Sequence, residues 1–486
     1  MYILAIDEGT TGVRALIFDE RCRRVGSAYE EIRSSYPQPG WMEQDPLHLW
    51  QQTIGVVRRV LREASLKPDQ LAGVGVASQR ATVVVWERAS GKPVGPAIVW
   101  QDTRAAKRVE ELAAQGYFVT AQASATKLEW ILANHAGLRQ RAEAGEICFG
   151  GVDSWIVWNL TGGAAHVTDH SHASCTALAD PFAGGWHADV LAALGIPAAM
   201  MPHVVDTSGV CAETSADTFG AVVPIAGIAG DQQAAMFAEL ATQKGSVKVT
   251  FGTSAMVDIH TGDSLVLSQH GAYPLVLWSL DGERSWCLEG TVLTSGATVQ
   301  WLRDGLGIIS APEETATLAE SVPDSGSVWV VPALQGLGTP HMDASGRAVV
   351  GGISRGTTRA HIVRAVLEGI AFRTREALDA LLADVGGERP RRLRVDGGGA
   401  ANDFLLQALA DTLGCDVERP ETVQATSLGA AMLAGIATGV WSGADDLRHS
   451  WRSGGVFAPS ERDGRREQRY SEWLKKVEAA RLGGLD

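Results

Sequence analysis

Four short segments place groups suited to phosphate and proton chemistry at the ends of apolar runs. The first is Asp7-Glu8-Gly9-Thr10-Thr11-Gly12, with Arg14 just beyond. A carboxylate at Asp7 can hold a magnesium ion through water. Thr10 and Thr11, with backbone N–H groups turned by the glycines, can face phosphate oxygens. A β-hairpin with a glycine turn and surface threonines accounts for the same residues. The second segment, Gly252-Thr253-Ser254, repeats the pattern more weakly and is equally readable as a polar turn. In the third, the apolar run Pro224 to Gly230 delivers Asp231 and Gln232 to the start of a helix-like stretch. A carboxylate there can accept the proton of a hydroxyl under phosphorylation, although aspartate at such a junction is also a good N-cap. The fourth is Asp396-Gly397-Gly398-Gly399, leading to a helix near Asn402. Successive glycines admit a flat ring or a phosphate close to the backbone, and a helix start favours negative charge. The Gly-Lys-Ser/Thr ending of a P-loop is absent, so a nucleotide site has to be of this other kind.

Arg80 and Trp100 each follow a strand-like run and can line a sugar site through charged hydrogen bonds and stacking. A surface ion pair and core packing are the plain alternatives. His166, Asp169, His170 and His172 invite a metal site, but the run HVTDHSH reads as a polar segment carrying loop histidines.

Strand-like and helical runs alternate throughout, which predicts an α/β class. Tyr2 to Ile6, Arg14 to Phe18 and Val74 to Ala77 read as strands. Asp45 and Pro46 suit the start of a helix whose apolar face carries Leu47, Trp50, Ile54, Val57 and Leu61. A second long helix is predicted from about His361 to Ala383. The segments IDEGTTGVRALIFD and VTFGTSAMVDIH both read strand, Gly-Thr turn, strand, which suggests a duplicated hairpin able to grip one polyphosphate from two sides. The polar stretch Thr242 to Gly245 is the expected boundary between two halves.

The 486 residues are 45% hydrophobic and 20% charged, the balance of a globular protein with more than one core. A net charge of −14 argues against a nucleic-acid partner. Six scattered cysteines suggest neither a zinc site nor a disulfide framework, and a cytoplasmic setting is expected. The opening MYILAIDEGTT lacks a basic region and a long apolar core, so no signal peptide is expected, and no membrane association.

Taken in order, these segments resemble the FGGY family of carbohydrate kinases over nearly the whole chain. The resemblance also rests on PGWMEQDP, ASQRAT, IVWQDTR, TKLEWIL, GGVDSWIVWNLTGG, LEGTVLTSGATVQWLRD, GLGTPHMD and SLGAAMLAG. It implies an α/β fold of two RNase H-like domains of the actin/hexokinase-type ATPase kind around a central cleft. Residues 1–242 would hold the substrate site, phosphate hairpin and base; residues 243–451 the nucleotide; residues 452–486 a helical tail. It implies ATP and Mg2+, with transfer of the γ-phosphoryl group to a terminal hydroxyl of a small polyhydroxylated substrate. Glycerol is the first expectation and a four- or five-carbon polyol or ketose, such as a pentulose, the second. By position, Asp231 matches the catalytic base and Asp7 the metal-associated aspartate. Arg80, Trp100, Asp231 and Gln232 match substrate positions. Thr10, Thr11, Arg14, Thr253, Gly296, Gln300, Gly398 and Asn402 match nucleotide positions. Ala81, Gln122 and Met256 depart from the glycerol-phosphorylating pattern, which has glutamate, tyrosine and phenylalanine there, and Asp102 is a candidate replacement acceptor. Gly220, Ala221, Val222 and Val223 stand where a Gly-Arg feature accompanies fructose-1,6-bisphosphate inhibition, so that control is not expected. The partner is a small molecule, and a homo-oligomer is admitted. A non-catalytic actin-like ATP-binding module is the contrasting class.

Overall fold

Near-continuous burial and branched apolar residues make Tyr2–Glu8 (β1) and Gly12–Asp19 (β2) an antiparallel hairpin, extended by Arg24–Glu31 (β3). Leu71–Ser78 (β4) pairs parallel to β1, and Pro224–Gly230 (β6) parallel to β4. Ser208–Glu213 (β5) runs antiparallel to β6. The order is β3-β2-β1-β4-β6-β5. The computed structural model describes residues 1–421, 424–460 and 463–482. These strands belong to one of its two compact units, formed by Met1–Leu240, Val276–Ser285 and Gln424–Trp451.

The other unit comprises Ala241–Leu275, Trp286–Val423 and Arg452–Asp486. Its strands repeat the plan. Val247–Phe251 (β7) and Ala255–Gly262 (β8) form a hairpin extended antiparallel by Glu283–Val292 (β9), which lies in this unit from Trp286 onward. Arg392–Asp396 (β10) and Asp416–Pro420 (β11) follow in parallel, and Ser453–Phe457 (β12) closes the edge antiparallel. The order β9-β8-β7-β10-β11-β12 matches that of the first unit strand for strand in position and direction. The duplicated hairpin expected from sequence is thus part of a duplicated sheet.

Helix Pro46–Glu63 is capped by Asp45, whose carboxylate accepts from Leu47 N at 2.9 Å. It packs on β2 and β3 through Leu49, Ile54, Val56, Val57, Val60 and Leu61, whereas Leu47, in its first turn, is exposed. Helix Ala425–Ala437 returns late in the chain to lie on β4 and β6 of the first unit. Its approach is close: a Cβ at Gly75 would stand 2.1 Å from the Ala430 carbonyl oxygen, and one at Gly227 2.7 Å from Ala434 N. In the second unit, helix Arg359–Val385 buries Val363, Val366, Ile370, Leu378 and Leu381 in the core with β7 and β8. The C-terminal segment contributes more than a helix, since β12 completes the sheet edge. Helix Asp463–Leu482 then buries Tyr470, Trp473 and Val477, with Trp473 stacked on Phe372 at 5.3 Å. Residues 461–462 and 483–486 of the expected tail lie outside the described residues.

Candidate active site

In the first unit, the ends of three neighbouring strands converge: Glu8 of β1 and Gly230 of β6 both pair with Ser78 of β4. Asp7 is almost fully buried, accepts from Ser427 Oγ at 3.0 Å, and lies 3.8 Å from the Arg14 guanidinium. Burial raises its carboxyl to about 6, against the lowering effects of Arg14 and Ser427; nearby Asp231 adds to the rise. Glu8, also buried, is pushed up to about 8. Thr53 Oγ1 stands 2.9 Å from both the Leu49 carbonyl and Glu8 Oε2. The hydroxyl can donate its single hydrogen to either acceptor, and its hydrogen bond to Glu8 works against the rise that burial causes.

Gly9 N donates to Gly12 O at 3.0 Å and closes the turn, leaving Thr11 and Arg14 exposed and Thr10 half-buried. A polar chain fixes that turn. Gln44 Nε2 donates to the Thr10 carbonyl at 2.7 Å, Gln79 Nε2 to Gln44 Oε1 at 3.1 Å, and Thr82 Oγ1 to Gln79 Oε1 at 2.8 Å. The Trp100 indole donates to Thr10 Oγ1 at 3.0 Å, so its edge is tied to the hairpin.

Asp231 opens helix Asp231–Ala238 directly after β6, and the cap position belongs to Gly230 rather than to the aspartate. Its Oδ1 lies 3.3 Å from Arg80 Nε and accepts from Gln232 N at 2.8 Å. Arg80 is therefore no surface partner; it is mostly buried against the carboxylate that the sequence singled out. Ala81 follows with φ of +60°, a left-handed conformation rare for a residue with a Cβ. Its carbonyl accepts from Ser124 Oγ at 3.2 Å. The Lys127 ammonium donates to the carbonyls of Ala121, Gln122 and Ala123 at 2.7 to 3.0 Å, which leaves the exposed Gln122 on a tethered loop.

Two sequence expectations are corrected here. Asp102 is not available as an acceptor for a substrate. It is fully buried, and its oxygens take hydrogen bonds from Met42 N at 2.6 Å, Arg104 N at 2.9 Å and the Arg104 guanidinium at 2.8 to 2.9 Å. Nor is HVTDHSH a loop. Val167–Asp169 is a strand and His170–Ser174 a helical turn, with Asp169 and His172 buried. Asp153, Asp169 and His172 offer atoms within 4.8 Å of one another. Burial works to lower His172, but Asp153 and Asp169 raise it to about 9. An imidazolium there already offsets one of the two carboxylate charges and occupies the place of a cation.

In the second unit, the turn of the β7/β8 hairpin exposes Thr253. The Gly252 carbonyl accepts from Gly296 N at 3.0 Å, and that of Thr253 from Ser295 N and Ala297 N at 3.0 Å, joining the turn to helix Gly296–Gln300. Gln300 is exposed. After β10, Gly397 adopts φ of +80°, where a Cβ would stand 2.5 Å from the Phe251 carbonyl oxygen. Gly398 is exposed, with no atom within 4 Å of a Cβ built on it, so the space above it is open. Asn402 caps helix Asp403–Leu413 through Leu405 N at 3.0 Å, and its amide donates to Thr315 Oγ1 at 2.9 Å. Half-buried Met256 receives the Thr291 hydroxyl at its sulfur, 3.6 Å away.

Sequence reasoning missed Ser427, which sits in the quoted run SLGAAMLAG, and buried Lys248, 3.5 Å from Asp258 and 3.9 Å from Asp396. A lysine in an apolar strand was the available signal for the second.

Residues 2–238 match the N-terminal and residues 247–438 the C-terminal domain of the FGGY family of carbohydrate kinases. The chain is 44% identical to glycerol kinase 2 of Thermotoga maritima, covering 98% of each, and 45% identical to the glycerol kinase of Dechloromonas aromatica, covering 98% and 97%. Among solved structures it resembles the glycerol kinase of Plasmodium falciparum with ADP at a TM-score of 0.92 and 31% identity, covering 99% and 98%. It also resembles a xylulose kinase of Rhodospirillum rubrum at 0.84 and 25%, covering 99% and 98%. No helix among the described residues is long and apolar enough to cross a membrane. With both domain models matched and relatives aligned end to end, the chain belongs to the FGGY family of carbohydrate kinases, phosphotransferases that use an alcohol group as acceptor.

Proposed function

We propose that this protein transfers the γ-phosphoryl group of ATP to a terminal hydroxyl of a small polyol, with glycerol as the acceptor. The observation that carries the reading is the Arg80–Asp231 pair, 3.3 Å apart just beyond the ends of adjacent parallel strands. The guanidinium binds substrate oxygens while Asp231 Oδ2, left outside the contacts of Oδ1, accepts the hydroxyl proton. The oxygen freed of its proton forms a bond to the γ-phosphorus, the bond to the β-phosphate oxygen breaks, and ADP leaves with the electron pair. Trp100 and Gln232 complete the acceptor site. Thr10, Thr11 and Arg14 face phosphate from residues 1–242; Thr253, Gly296, Gln300, Gly398 and Asn402 hold the nucleotide from residues 243–451.

The carboxylate of Asp7 suits Mg2+. It is buried, raised by desolvation and accompanied by a second carboxylate at Asp231, and a cation offsets both penalties. When bound, the ion neutralises phosphate charge. The cytoplasm is the place of action that goes with this reading, in keeping with six cysteines scattered without paired spacing.

A four- or five-carbon polyol or ketose is the second reading, favoured by Ala81, which offers no side-chain acceptor. ADP release measured over glycerol, erythritol, xylitol and xylulose tests both. The highest kcat/KM on glycerol supports the first, the highest on a longer compound replaces it with the second, and ATP turnover independent of every compound overturns both.

A further inference from the structure

The helical turn His170–Ser174 touches both strand ends that carry the acceptor machinery. Its cap, Asp169, accepts five hydrogen bonds: from Ser171 N at 2.9 Å, Ser171 Oγ at 3.0 Å, His172 N at 3.0 Å, His172 Nδ1 at 2.8 Å and Thr207 Oγ1 at 2.7 Å. These contacts fix both the carboxylate and the imidazole plane. From that fixed turn, Ser171 Oγ accepts from Gly230 N at 2.9 Å, one residue before Asp231. His172 Nε2 reaches Ser78 Oγ at 2.9 Å, two residues before Arg80. Cys175, the next residue after the turn, places its sulfur 3.8 Å from Arg80 Nη1.

Ser78 and Gly230 are paired across β4 and β6, and both strands end there. Beyond that pair no ladder spaces the chains. The turn takes over, with the rigid ring of His172 spanning to one strand end and Ser171 to the other.

We propose that His172 is a positioning residue for phosphoryl transfer, which sets the separation of Arg80 and Asp231 by bridging the Asp169 cap to Ser78. The inference rests on the roles given to Arg80 and Asp231 above. The ring's charge supports it, since an imidazolium donates from both nitrogens, to Asp169 and to Ser78 at once.

Ser78→Ala and His172→Asn in the full chain test it, by steady-state kinetics with ATP and glycerol. Asparagine keeps a donor near the Nδ1 place and withdraws the reach to Ser78. Each variant is expected to lose about tenfold to a hundredfold in kcat, because small misplacements of reacting groups are costly, while KM for ATP stays within about twofold. The double variant is expected to be no worse than the poorer single one, since both cut the same bridge. Unchanged kcat in Ser78→Ala, or losses that multiply in the double variant, overturns the inference. A purely structural role would lower the unfolding midpoint and leave kcat at lower temperature intact. Ser78→Ala removes only a hydroxyl and decides alone if His172→Asn does not fold. Failure of the underlying reading looks different: Asp231→Asn then remains active, whatever the two bridge variants do.

Discussion

At the residue scale, the decisive group is Asp231. It stands at the first helical position with Arg80 against one oxygen and no cap duty to perform, so replacement by the isosteric amide preserves the helix start. Asp231→Asn is expected to bind ATP as the parent does and to lose turnover by at least about a hundredfold, as removal of a proton acceptor predicts. Nucleotide titration by calorimetry beside an ADP-release assay checks both halves. Ala81 bears on selectivity. A non-glycine residue at φ of +60° costs roughly 1 to 2 kcal/mol, so the backbone beside Arg80 is held on a costly path.

At the scale of elements, helix Ala425–Ala437 is held on β4 and β6 by glycines that leave no room for a Cβ. Gly75→Val is expected to lower stability by about 1 to 3 kcal/mol or more, because the obstacle is the Ala430 backbone and not a side chain able to swing away. Urea midpoints at unchanged m-value would show it; a midpoint equal to the parent's would refute the packing argument. This contact also shows what sequence could and could not convey. Hairpins β1/β2 and β7/β8 were legible because strand-like runs and Gly-Thr turns are local, and Asp231 and Asp396 were legible as acids at strand ends. The role of Ser427 was not, since its partner Asp7 is distant in sequence and the run SLGAAMLAG carries no sign of the sheet it covers. Asp102 misled for a related reason: its pattern in WQDTR announces a carboxylate, while its complete engagement with Arg104 and Met42 N is a tertiary fact.

At the scale of the whole molecule, the pH dependence of stability should carry the mark of His172. Its folded value of about 9 lies above the ordinary 6.5, so its contribution is present in full below about 6.5 and is lost as pH rises through about 9. The stability gap between the parent and His172→Asn is expected to be widest near pH 6 and to narrow by roughly 3 kcal/mol by pH 10, read from urea unfolding. A gap constant over that span would mean the ring is neutral when folded. The route of the chain has a further consequence. Because Gln424–Trp451 belongs to the unit that begins at Met1, the face of β4 and β6 that receives helix Ala425–Ala437 stays bare during synthesis until that helix has been made. The unit begun at Met1 is finished only then, and the hydrogen bond from Ser427 to Asp7 must wait for the 420 residues of chain that separate them.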